Sequence, residues 1–335
     1  MVDFLYFLSM TSRKVAVLVI VLLGIVLPTQ GMWGFFAHQK INRMAVFTLP
    51  VEMIGFYKNH IRFITENAVN PDRRRYAVEQ EAARHYIDAD VYGDSAVYKL
   101  PRYWNEAVEQ LTEDTLMAYG IVPWHIQKVK GWLTDAMMIG DVQSILVLSA
   151  DLGHYIADAN VPLHTTKNYN GQLTNQIGIH GFWESRLPEL FSEEYDYFVG
   201  KAQYIGNTQL YAWEAIIQAH LALDSVLSFE QNLTIDEGTD RKYSYETRGI
   251  NTVKVYSYDF SNKYHKMLNG MVERQMLKSI SMVGDFWYTC WVDAGQPDMN
   301  QWIDFDFSEE ELLRRKEELK EWKNKKYLNR DHESQ

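Results

Sequence analysis

The segment Val142–Ala159 sets apolar side chains at Ile145, Leu146, Leu148, Leu152, Tyr155 and Ile156, a stripe with the 3.6-residue period of a helix. The same helix carries His154 and Asp158, four residues apart and therefore on one face. Pro162 stops it and opens a turn bearing His164. A second pair at the same spacing, His180 and Glu184, follows a stretch over 168–178 rich in Gly, Asn and Gln that reads as a loop. One His-x3-carboxylate pair is commonly a salt-bridged histidine. Two pairs, with Asp72, His85 and His164 outside them, point to a multinuclear metal site. Imidazole nitrogen with carboxylate oxygen, and no thiolate, is the donor set of zinc and its neighbours in hydrolysis. Gly153, beside His154, costs roughly 0.5–1 kcal/mol against Ala inside a helix, which implies close approach by another helix or by a metal ligand.

Further helical patterns cover Lys40–Leu49, Arg75–Tyr86, Trp104–Tyr119, Val129–Met138, Tyr211–Phe229, Thr252–Val283 and Glu309–Lys326. Pro123 and Trp124 read as a packed turn, and Ser308 to Glu311 as a capping box opening a charged, solvated terminal helix. No repeat or low-complexity linker interrupts them. The expectation is an all-α, multi-helix domain over 33–335 with metals held between helices. Apolar residues at 47% and aromatics at 14% supply its core. A net charge of −11 leaves no basic footprint for duplex DNA. The single cysteine, Cys290, excludes an internal disulfide and a thiolate zinc cage. Arg13 and Lys14 precede an uncharged apolar run, Val15–Leu27, shorter than the roughly 20 residues that span a bilayer. Residues 1–32 therefore read as a cleaved signal peptide, giving a secreted or periplasmic protein with no permanent membrane anchor. No protein partner is signalled.

Taken in order, Trp33, His38, Asp72, His85, His154, Asp158, His164, His180 and Glu184 resemble the ligand series of a known superfamily. It is that of the zinc-dependent phospholipases C and single-strand-specific nucleases, all-α phosphodiesterases with three zinc ions. The motifs are Trp33-Gly-Phe-Phe-Ala-His38, Asp72 ahead of three arginines, His85-Tyr-Ile-Asp88, and the two helical pairs. The resemblance covers 33–184, and 185–335 carries no motif for it.

The resemblance implies a first zinc on Asp72, His85 and His154, with Asp158 bridging to a second. That second ion would take His38 and the free amine and carbonyl of Trp33, which requires removal of Met32. The third would take His164, His180 and Glu184. A metal-bridging hydroxide would be the nucleophile, with Asp72 and Asp158 at the reacting centre and Asp88 and Asp90 orienting it or its ligands. Glu184 is the phospholipase-type residue, whereas the Trp33–His38 spacing and Trp183 are nuclease-like. The expected activity is phosphoric ester hydrolysis of single-stranded nucleic acid or 3′-nucleotides. Phospholipid head groups are the alternative substrate, and a non-catalytic zinc-binding module is the rival of another class. His60, His125, His220, His265 and His332 read as structural. Trp124, Trp132, Trp183 and Tyr169 read first as core, with base stacking or lipid contact as the functional alternative. Asn232-Leu-Thr234 matches a glycosylation sequon.

Overall fold

The computed structural model describes residues 35–249 and 251–324. The expected signal peptide, Trp33 and His332 lie outside the described residues. The described chain is mostly helical, and the helices that build its centre are α1 (Phe35–Ala45), α2 (Val122–Ile139), α3 (Val142–Ala159), α4 (Thr208–Glu237) and α5 (Met271–Asp293). Among the described residues no helix is long and apolar enough to cross a membrane.

Helix α3 is the axis of the molecule, and its sequence explains both ends. Asp141 caps it by accepting from Ser144 N at 3.1 Å and from the Ser144 hydroxyl at 2.6 Å, which satisfies a donor no intrahelical carbonyl can reach. At the other end Asn160 folds back to donate to Ile156 O at 2.9 Å, and Pro162 follows. Between them Ile145, Leu146, Leu152 and Ile156 are fully buried, because α1, α2, α5 and the helix Ile61–Asn67 enclose α3. Trp287 of α5 stacks on Tyr57 at 4.9 Å and donates to Ser149 O at 3.1 Å, tying α5 to α3 through a buried aromatic pair. Truncating either ring costs about 3–5 kcal/mol. The same apolar core extends without a gap to Met299.

Several elements differ from the sequence reading, each for a local reason. Arg75–Tyr86 is not a helix. Helical turns cover Asn70–Arg74 and Ala82–His85, and between them the chain reverses through Gln80 at φ 68°. In a continuous helix Arg74 and Glu81 would stand about 10 Å apart along the axis. Folding back brings the guanidinium to 3.1 Å from the carboxylate instead. The pattern over 104–119 is two helices, broken at Thr112 (φ 65°), whose hydroxyl caps the second. Pro123 and Trp124 are the first turn of α2 rather than a turn before it, since proline lacks only a hydrogen that the first helical turn cannot use. The expected helix 252–283 is three elements. Alternating Thr252-Val-Lys-Val-Tyr256 forms β2 (Asn251–Tyr256), antiparallel to β1 (Tyr243–Arg248), with Tyr243 opposite Tyr256. Ser257 then caps Tyr258–Met267, and Asn269 and Gly270, both at positive φ, separate that helix from α5. At the C-terminus Ser308 Oγ accepts from Glu311 N at 3.2 Å, as a capping residue should.

Gly153 is where α1 and α3 touch. A Cβ there would fall on the side-chain amide of Asn42, which is itself fixed by donating to Ala150 O at 2.9 Å. Gly131 of α2, by contrast, faces open space. Gly153→Ala is therefore expected to destabilise by about 1–3 kcal/mol through overpacking, and Gly131→Ala to be neutral or stabilising by up to about 1 kcal/mol. Thermal or urea unfolding of the two variants checks this; equal stability at both sites would contradict the close approach.

Candidate metal centre

Helix α3 delivers Asp151, His154, Tyr155 and Asp158 along one face, which is where three other segments meet. His38 comes from α1, Asp72 from the short helix Asn70–Arg74 and His85 from the 3-10 turn Ala82–His85. The turn Pro162–Thr165 presents His164. His180 opens a helical turn, Ile179–Gly181, which runs into a π-turn, Phe182–Arg186, that carries Glu184. Such π-turns concentrate at functional sites.

The ring orientations are set by backbone. His154 Nδ1 donates to Ala68 O at 2.9 Å and His164 Nδ1 to His85 O at 2.8 Å. Each bond commits the proton to Nδ1 and turns a bare Nε2 inward. The Ile87 amide donates to His164 O at 2.9 Å, so the segments bearing His85 and His164 hold each other.

Asp72, His85 and His154 turn their ligand atoms to one point, with Asp158 beside the two histidines. His154 Nε2 lies 3.1 Å from His85 Nδ1 and 3.7 Å from Asp72 Oδ1, and His85 Nδ1 lies 3.8 Å from Asp72 Oδ1. Asp158 Oδ2 stands 2.9 Å from His85 Nδ1 and 3.2 Å from His154 Nε2. Donors held tetrahedrally at about 2.0–2.1 Å from a divalent transition metal are about 3.3–3.4 Å apart. These separations bracket that value. A second set has the same spacing: His164 Nε2 is 2.9 Å from His180 Nε2 and 3.4 Å from Glu184 Oε2, and His180 Nε2 is 2.7 Å from Glu184 Oε2. His38 stacks on His154 at 4.1 Å and points Nε2 between the two, 3.5 Å from Asp158 Oδ1 and 3.2 Å from Glu184 Oε1. The three groups His38/His154/Asp158, Asp72/His85/His154 and His164/His180/Glu184 can each hold a metal ion.

The electrostatics of the cluster favour a cation. Burial pushes the Asp158 carboxyl up to about 8; His164 and His38 oppose the rise, while Asp72 and Glu184 add to it. Burial likewise depresses His85 well below its ordinary value, and His154, Arg75 and His164 depress it further. Glu184 goes the other way, because His164, His180 and His38 outweigh its desolvation and hold it well below the usual carboxylate range. A divalent ion among these groups would compensate the buried carboxylates directly.

Every candidate ligand except Trp33, which lies outside the described residues, falls in this cluster. Asp88 and Asp90 do not join its ligand groups. Asp90 accepts from Thr166 Oγ1 at 2.7 Å and Lys167 N at 3.0 Å, anchoring the chain just beyond His164, and Asp88 is buried with its amide donating to Tyr119 O. His60 contacts Trp302 O, His125 packs edge-on to Tyr155, His220 meets Thr165 Oγ1 and His265 stacks on Phe191. Trp124, Trp183 and Tyr169 are buried, whereas Trp132 is half exposed. The exposed Asn232 of the sequon rides on α4.

Sequence reasoning missed the support beneath the cluster. Arg74 grips Asp151 through two nitrogens at 2.9 and 3.3 Å, reaches Glu81 at 3.1 Å and donates to the Tyr155 hydroxyl at 2.8 Å. Tyr155 in turn donates to Glu81 in a short hydrogen bond. Burial alone would depress Arg74, but Asp151, Tyr155 and Glu81 outweigh it and its pKa rises. Asp151 was discoverable, since it precedes His154 by three on the ligand face. The loop linking His164 to His180 is clamped separately. Gln176 donates to the fully buried Glu230 at 2.6 Å, and Lys242 pairs with the same carboxylate at 2.6 Å.

No protein-family model matches the chain, and no curated protein matches it.

Removing Arg74 takes the guanidinium partner from the buried Asp151 and leaves Glu81 with Arg84 alone. Arg74→Met is expected to cost about 3–5 kcal/mol, whereas Arg62→Met, which breaks an exposed pair with Glu66, is expected to leave stability essentially unchanged. Urea unfolding of both proteins tests this, and an Arg74 variant as stable as the parent would contradict the anchoring role.

Proposed function

We propose that this chain is a zinc-dependent phosphoric ester hydrolase, with single-stranded nucleic acid or 3′-nucleotides as its first substrates. The observation that carries the reading is Asp158, whose Oδ2 stands with His85 and His154 while Oδ1 faces His38. A carboxylate divided in this way suits two cations side by side, and the His164/His180/Glu184 group supplies room for a third. Nitrogen and oxygen donors without thiolate suit zinc. Bound there, zinc ions would polarise a phosphoryl oxygen and lower the pKa of a water towards neutrality.

The chain's own residues define the approach. His85, His154 and Asp158 are sealed, while Asp72, His180 and Glu184 keep 25%, 20% and 15% of their side chains exposed. The phosphate is therefore expected to enter between Asp72 and the His180–Glu184 turn. Arg75, close enough to depress His85, adds positive charge for an anionic substrate in a chain that is acidic overall. Trp183 and Tyr169 are too buried to stack on a base, so the nucleic-acid preference rests on the Trp33–His38 resemblance. One observation favours phospholipid head groups as the second reading. Leu173 and Ile177, 61% and 54% exposed, lie on the loop joining His164 to His180.

Purified protein is expected to carry close to three zinc ions and to lose hydrolysis with a chelator. Asp158→Asn should lower occupancy and reduce turnover by about 100-fold or more, since even outer-shell partners of metal ligands are worth about 10–100-fold. Elemental analysis with initial rates on single-stranded DNA, 3′-nucleotides and phosphatidylcholine is the test. A single bound ion, or normal zinc and rate in Asp158→Asn, would contradict the proposal; phosphatidylcholine cleavage without nucleotide hydrolysis would reverse the order of the substrates.

A further inference from the structure

We infer that Glu81 is the positioning carboxylate of the metal centre: it receives the outer ring N–H of His85 when the inner nitrogen is engaged by a metal. The inference rests on the metal reading above and adds a residue that belongs to none of the three ligand groups.

His85 differs from its neighbours in how its ring is held. The outer nitrogens of His154 and His164 each donate to a backbone carbonyl. His85 turns Nδ1 towards Asp72, His154 and Asp158, which leaves Nε2 on the outer side. That Nε2 is buried and has no hydrogen-bond partner. An imidazole that ligates through Nδ1 carries its proton on Nε2, and a buried N–H without an acceptor is costly. The carboxylate placed to accept it is Glu81, one helical turn earlier, with Oε1 at 3.8 Å from Nε2. A ring tilt of about 1 Å closes this to hydrogen-bond distance.

Glu81 is built for such a task rather than left over from packing. Its side chain is completely buried, and the charge is compensated by Arg74 at 3.1 Å on Oε1 and Arg84 at 2.6 Å on Oε2. The Tyr155 hydroxyl, on the same face of α3 as His154 and Asp158, also donates to Oε1. The carboxylate is thus tied to the helix that carries two of the ligands, and its Oε1 edge faces His85. Metal-bound histidines almost always give their second N–H to such an acceptor, and losing it weakens the metal about 10–100-fold.

The test uses the full chain and zinc alone. Stepwise zinc competition against a chromophoric chelator resolves each bound equivalent for the parent and for Glu81→Gln, and nitrogen-15 spectra of the histidines follow the His85 Nε2–H. The expected result is one equivalent weakened about 10–100-fold, the others unchanged, and loss of the hydrogen-bonded His85 resonance. Should Glu81→Gln fail to fold, Glu81→Asp carries the same expectation, because it keeps the charge beside Arg74 and Arg84 while withdrawing the oxygen from His85. A parent that binds zinc and a variant that binds every equivalent equally tightly would overturn the role of Glu81 and leave the metal reading standing. A uniform loss of all equivalents would make Glu81 a purely structural residue. A parent that binds no zinc would overturn both.

Discussion

The desolvation of Asp158 is the constraint on which the rest depends. A carboxylate with 1% of its surface exposed has lost nearly all its hydration, and burial drives it towards the neutral acid. Four histidines, His38, His85, His154 and His164, stand within 3.6 Å of its two oxygens without a fixed positive charge among them. Packing alone does not call for a carboxylate in the last turn of α3, where well-packed apolar residues are often as stabilising. A cation in the cluster would account both for its retention among inward-facing imidazoles and for the close approach of Asp72, His85 and His154.

The scaffold serves that arrangement in layers. Backbone carbonyls of Ala68 and His85 orient two of the rings. Behind them Arg74 ties the Asp72 segment and Glu81 to α3, so the edge of the cluster contributed by residues 70–85 is fixed by charge rather than by regular secondary structure. The opposite edge, His164 to Glu184, is held by a loop that Glu230 and Lys242 clamp from beneath. Each edge therefore has its own buried ion pair, and disturbing one need not disturb the other.

How much of this was legible in the sequence follows from the range of the interactions involved. Val142–Ala159 was readable to the residue because its cap, its period and its terminating proline are all local. The ligand series was readable because four-residue spacing on a helix has a fixed geometric meaning. Gly153 announced a close contact, though not that Asn42 makes it. The failures are places where distant contacts override local preference. Residues 75–81 score as helix but fold back so that Arg74 can reach Glu81, seven residues on. Thr252–Tyr256 runs into a helical pattern yet pairs with Tyr243–Arg248, and the alternation of its β-branched residues was the signal overlooked. Asp88 and Asp90 share the neighbourhood of His85 in sequence, while Asp90 faces Thr166 and Lys167, partners nearly eighty residues away.

The central claim is that the histidine–carboxylate cluster is a metal centre. Anomalous diffraction at the zinc absorption edge, from crystals of protein purified without added chelator, tests it most directly. The account predicts a peak enclosed by Asp72, His85, His154 and Asp158 and another enclosed by His164, His180 and Glu184, with a third beside His38 and Asp158. Crystals soaked in zinc that show no anomalous density among these side chains would contradict it.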